Sequence, residues 1–227
     1  VITDFVNFAS NIFLKKYQLY LLSLLSGLLL AFAWFPHGWL PLLFVAFIPL
    51  LLIEHTVFQN PEKYKSRTVF FTSFIAFCIW NIITTWWLKN ASWGGAIIAV
   101  CLNSFLMSFT FLFFHKVKKR IGEKWGYLIF ISIWIAFEFL YHGDQVSWPW
   151  LTLGNAFADG VDIIQWYEYT GIFGGSLWVL SVNCLLFSSY LSLNRKKIIY
   201  LIALISIPII ISFIIYSPLN VTKTSPY

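Results

Sequence analysis

The sequence predicts an all-α, polytopic transmembrane helix bundle of about seven spans, and three observations carry that prediction. Hydrophobic residues make up 59% of the 227 positions and charged residues 11%, where a soluble domain carries about 25% charged. Apolar runs long enough to cross a bilayer, about 18 residues or more, recur along the chain. The cations gather in short clusters between those runs, as membrane flanks do. The same placement removes the net charge of +6 as a sign of nucleic-acid binding, so no nucleic-acid partner is expected.

The elements follow in order. A first span is predicted over Tyr17–Trp34, entered through Lys15 and Lys16 and closed by Phe35-Pro36-His37-Gly38, where Pro36 and Gly38 break the helix. Ala31-Phe32-Ala33 resembles a signal-cleavage region. The apolar run is longer than a signal core, however, and further spans follow at once, so this helix is expected to be retained. The second and third spans are predicted over Trp39–Val57 and Thr68–Leu88, joined by the charged connector Gln59–Arg67. The fourth, Gly94–Val117, runs into the cations Lys118, Lys119 and Arg120; the fifth covers Tyr127–Tyr141. A long connector then leads to the sixth and seventh spans, Ile172–Leu193 and Ile198–Tyr216. Residues 1–217 therefore read as one helical domain and 218–227 as the start of a linker.

Seven spans place alternate connectors on opposite sides of the membrane. Of the 15 Lys and Arg, all but Lys89 and Lys223 then fall on one side. Positive charge stays cytoplasmic, so the N-terminus is expected inside and the C-terminus outside. The opposite face collects Trp34, Trp39, Trp86, Trp87, Trp93, Trp148, Trp150 and Trp166. Two readings of that collection stand: a belt of interfacial anchors, or an outer, lipid-facing work surface.

Few residues offer chemistry. Glu138, in the fifth span, is a carboxylate where insertion is costly, which makes it either a functional group or a hydrogen-bonding partner of a neighbouring helix. Glu54 and His55 are expected at the membrane interface. Asn81, Asn103 and Asn183 are expected to join helices. Thr84, Thr85, Trp86 and Trp87 form a polar and aromatic end to the third span, at headgroup depth. Cys78, Cys101 and Cys184 sit in apolar segments without metal-ligand spacing, so neither a metal nor a cofactor is expected. The last span lacks the lysine a retinal protein needs, no arginine ladder suggests a voltage sensor, and no phosphate loop or hydrolase motif is present.

The stretch from Trp134 to Asn183 carries more. Trp134 with Glu138-Phe139-Leu140, then Pro149-Trp150-Leu151 with Gly154, then Gln165-Trp166 with Glu168, Thr170 and Gly171, resembles in order three motifs of the apolipoprotein N-acyltransferase family. Leu25–Leu51 is similar to that family's opening hairpin. Tyr141 differs, standing where relatives often place Arg. The resemblance implies a bacterial inner-membrane protein with a periplasmic active face. It would pass an acyl chain from a phospholipid to the N-terminal diacylglyceryl-cysteine of a lipoprotein, without a cofactor. It further implies a thioester mechanism run by Glu, Lys and Cys of a periplasmic nitrilase-like domain, of which these residues contain none. The expectation is therefore the membrane portion of such an enzyme, inactive by itself. Its candidate lipid- or substrate-contacting residues are Glu138, Trp148, Pro149, Trp150, Gly154, Gln165, Trp166 and Glu168. The alternative is a non-catalytic membrane module, a transporter or partner subunit that recruits a separate enzyme.

Overall fold

A computed structural model describes residues 14–34, 38–143 and 148–215. The expected linker, 218–227, lies outside the described residues. Among the described residues there are seven α-helices: α1 (Lys16–Phe32), α2 (Ile48–Gln59), α3 (Arg67–Thr84), α4 (Trp93–Ile121), α5 (Glu123–His142), α6 (Tyr167–Leu191) and α7 (Arg195–Ile215). Among the described residues, six stretches are long and apolar enough to cross a membrane once α2 is joined to the 3-10 turn Leu40–Phe44 that leads into it. The remaining helix, α1, has 17 residues, about 25 Å at 1.5 Å per residue.

Local chemistry sets several helix ends. Gln18 reaches back to accept from the Lys15 N–H at 2.6 Å, half of a capping box that starts α1. Pro49 occupies the first turn of α2, where its missing N–H costs nothing. The Ser92 hydroxyl accepts from Gly95 N–H at 3.2 Å and caps α4. Gly122, at φ 88°, ends α4 in backbone space that other residues avoid.

Small residues and amides hold the helices together, as they must where lipid is as apolar as the core. Gly27 of α1 lies so close to α3 that an added Cβ would stand 2.6 Å from the Ala76 carbonyl oxygen. Asn103 of α4 donates to Asn81 of α3 at 2.6 Å. Asn183 of α6 donates to the Leu43 carbonyl and accepts from Phe47 N–H, both at 2.9 Å. The three span amides thus join helices, as their chemistry leads one to expect. Around Phe47 an aromatic core gathers Phe77, Phe130 and Trp134. α7 lies outside this core, tied to α6 through Trp178, whose indole N–H donates to the Leu204 carbonyl at 2.7 Å.

One expectation fails. Glu54 and His55 are not interfacial but buried, Glu54 to 0% exposure. The Glu54 carboxylate takes Lys118 Nζ at 2.6 Å on one oxygen and His115 Nδ1 at 2.8 Å on the other. Lys118, counted in the sequence among the cations that flank the spans, is itself fully buried; its ammonium lies 4.6 Å from the Phe58 ring centroid and 4.7 Å from that of Tyr127. His55 Nδ1 pairs with Glu123 at 3.0 Å. The reason is geometric. α4 stays helical through the cation run, so His115 and Lys118, three apart, share a face and turn inward onto α2.

Candidate functional site at the tryptophan rim

The described part of the segment between α5 and α6, from Trp148 on, folds into three short 3-10 turns, Pro149–Leu151, Leu153–Asp159 and Val161–Ile163. Pro149 pre-sets the backbone of the first turn. Asn155 locks it by donating from its side chain to the Pro149 carbonyl at 2.8 Å. Leu151, Leu153, Ala156 and Phe157 face inward and are buried. Phe157 stacks on Trp178 of α6 with ring centroids 5.3 Å apart.

Polar anchors fix this loop from below. One oxygen of Glu138 accepts from Leu153 N–H at 2.9 Å and from the Trp134 indole N–H at 3.0 Å. Ser176 stands beside that carboxyl and accepts from Gly154 N–H at 3.1 Å. The Tyr167 hydroxyl donates to the Gly154 carbonyl at 3.1 Å. No other residue fits at 154, because a Cβ would sit 2.0 Å from the Ile172 carbonyl oxygen. His142 and Thr152 meet through Nε2 and Oγ1 at 2.7 Å.

The anchored loop presents Trp150, which is 53% exposed. Its ring meets Trp87 edge-on at 5.6 Å. Together they wall a cavity of about 410 Å³ that also takes in Trp34, Trp86, Thr84 and Thr85. Tryptophan offers a rigid apolar wall with one donor, a combination suited to the boundary between headgroups and acyl chains. The cavity lies at the α1 end opposite Lys16, since Ala31 and Phe32 also line it.

The eight residues singled out in the sequence occupy different places. Trp148, Pro149, Trp150 and Gly154 share the loop, and Glu138 lies buried beneath it. Of the eight, Trp150 is the one that lines the cavity. Gln165 bonds the Val161 carbonyl at 2.8 Å, and the Trp166 indole donates to the Ile163 carbonyl at 3.2 Å, so both brace the end of the loop. Glu168 is exposed in the first turn of α6, where a carboxylate suits the helix dipole. Sequence reasoning missed Tyr167 and Ser176, whose hydroxyls meet Gly154. Thr84 through Trp87 were legible as a headgroup-depth cluster, but not as the far wall of a cavity closed by Trp150.

A helical bundle with six helices long and apolar enough to cross a membrane among the described residues, and an aromatic cavity at one end, defines a multi-pass membrane protein. The comparisons with known proteins narrow that class. The model of the apolipoprotein N-acyltransferase N-terminal domain matches residues 26–185. An apolipoprotein N-acyltransferase of Chlorobaculum tepidum is 33% identical over 91% of this chain and 39% of its own length. That of Haemophilus influenzae is 29% identical over 86% of this chain and 38% of its own. That of Geobacter metallireducens is 31% identical over 74% and 33%. The chain belongs to the apolipoprotein N-acyltransferase family, and it spans less than half the length of these curated relatives.

Proposed function

We propose that these residues form the lipid-handling membrane domain of an apolipoprotein N-acyltransferase, set in the bacterial inner membrane with the tryptophan rim facing the periplasm. The observation that carries the proposal is the cavity walled by Trp34, Trp86, Trp87 and Trp150 at the end of α1 away from Lys16. A phospholipid acyl donor and a diacylated lipoprotein both present acyl chains joined to polar heads. Such a molecule fits a cavity whose walls are indole and whose polar groups are Thr84 and Thr85. Because Glu138, Tyr167, Ser176 and Gly154 already order the loop, binding there loses little conformational entropy. Glu138 acts through Leu153 as a positioning residue. The acyl transfer itself, a thioester exchange at Glu, Lys and Cys, is assigned to a nitrilase-like domain outside residues 1–217, so residues 1–227 alone should not acylate a lipopeptide.

The test joins residues 1–215 to the part of the Chlorobaculum tepidum relative that lies beyond its matched region. Conversion of a diacylated lipopeptide with phospholipid as donor is then followed. The fusion is expected to turn over, and Trp150→Ala to lower kcat/KM roughly tenfold, about 1.4 kcal/mol of lost contact. Unchanged turnover in the variant removes Trp150 from the site. A folded fusion with no turnover favours the alternative, a membrane module that serves a separate enzyme or a transporter.

A further inference from the structure

At the opposite end of α1 from the tryptophan cavity lies a second cavity, of about 600 Å³, between the starts of α1 and α3. Lys16, Lys63, Lys65 and Arg67 line it, and no Asp or Glu does among the described residues. Glu62, in the same connector, is not part of the lining. The positive-inside tendency explains why cations lie on this side. It does not explain why four of them, from two helix starts and one connector, converge on one hollow.

Two further features make the hollow specific. Lys16 opens α1 and Arg67 opens α3, and neither helix has an acidic residue in its first turn. Cations at a helix N-terminus oppose the dipole, so Lys16 and Arg67 bring to the hollow positive charge that an anion would relieve. Its lining also descends from charge to hydrocarbon. Tyr20 and Thr68 offer hydroxyls below the cations, and Leu19 and Phe71 continue the wall, with Phe71 56% exposed on the outer surface of the bundle. A free phosphate would use the rim alone. A lipid uses both levels, its phosphodiester at the cations and its acyl chain along Phe71.

We infer that this hollow is a binding site for an anionic glycerophospholipid, separate from the acyl-donor cavity and in the opposite leaflet. Its ligand is held by charge on the phosphodiester, so a zwitterionic lipid, whose amine offsets that charge, binds more weakly. Basic pockets between membrane helices act on acidic headgroups in this way, each cation contributing about fivefold in affinity.

The experiment uses the full 227-residue chain purified in dodecyl maltoside and stripped of lipid. Phosphatidylglycerol, phosphatidylcholine and sodium phosphate are titrated separately, with bound lipid counted by native mass spectrometry and the unfolding midpoint followed in parallel. Phosphatidylglycerol is expected to bind at least fivefold more tightly than phosphatidylcholine, to raise the midpoint, and to weaken at high salt. Lys65→Gln with Arg67→Gln is expected to lower its affinity about 25-fold while phosphatidylcholine binding is unmoved. Equal affinity of the wild-type chain for the two lipids overturns the proposal, whatever the variant does. A midpoint shift by millimolar phosphate equal to that by phosphatidylglycerol also overturns it, because the rim alone would then account for binding.

Discussion

Replacing Lys118 by Met is expected to cost about 3–5 kcal/mol of unfolding free energy, the scale of a buried charge left without its partner. Glu54 and Lys118 are both at 0% exposure and 2.6 Å apart. Removing the ammonium leaves the carboxylate with His115 as its remaining partner. Unfolding of the purified protein in mixed micelles with increasing dodecyl sulfate measures the loss. An exposed interfacial pair would give at most about 1 kcal/mol, so a loss that small returns Glu54 to the interface where the sequence alone had put it. Glu54→Gln should be comparably costly. Glu54→Leu combined with Lys118→Met should recover much of either single loss, because a buried pair replaced as a whole by apolar side chains is often close to neutral. The Lys118 stem is itself closely packed: a Cβ on Gly126 of α5 would lie 2.6 Å from Lys118 Cγ.

Gly154→Ala is the second large effect, and it acts on structure and activity together. The added methyl would stand 2.0 Å from the Ile172 carbonyl oxygen and 2.9 Å from the carbonyl carbon. Backbone of α6 cannot turn aside as a side chain can, so the loop has to move. Overpacking of this kind costs about 1–3 kcal/mol, and the movement strains the bonds from Gly154 to Ser176 and Tyr167. Trp150 then loses its place against Trp87. In the fusion with the Chlorobaculum tepidum sequence, acyl transfer should fall at least as far as with Trp150→Ala. Expression and helicity should stay near those of the parent, because a cost of that size is a fraction of the roughly 5–15 kcal/mol that holds a domain folded. Full activity in Gly154→Ala would mean that the loop does not shape the site.

Much of the fold was legible because its information is local. Apolar runs bounded by Pro36, Gly38 and charged connectors mark about seven spans; among the described residues seven α-helices lie in those runs, six of the stretches long and apolar enough to cross a membrane and α1 shorter. The ends that moved did so for tertiary reasons. The fourth span was expected to stop at Val117, where polarity begins, but α4 runs to Ile121 because Lys118 turns inward to Glu54. The sixth was expected from Ile172, after Gly171, yet α6 begins at Tyr167 and passes through Gly171 in a kink at φ 63°. The site was legible in its residue types and less so in its arrangement. Trp150 and Gly154 could be singled out by motif, and Thr84 through Trp87 by position. What joins them, a loop pinned by a buried Glu138 and closed onto a tryptophan 63 positions earlier in the chain, depends on contacts that no periodicity reports. Glu54 offered one signal, a carboxylate inside an apolar span, three residues before its expected end at Val57. It was discounted for its nearness to the span's end.

The account turns on which way the tryptophan rim faces, and cysteine accessibility in living cells measures that directly. In a chain with Cys78, Cys101 and Cys184 replaced by Ala, one cysteine is placed at Ala91, beside the rim, or at Ser66, beside the cation-lined hollow. Spheroplasts are then treated with a membrane-impermeant maleimide. Labelling of Ala91→Cys in intact spheroplasts, with Ser66→Cys labelled only after lysis, is the predicted result. The reverse pattern would put the tryptophan cavity in the cytoplasm, away from the lipoprotein substrate proposed for it, and would contradict the account.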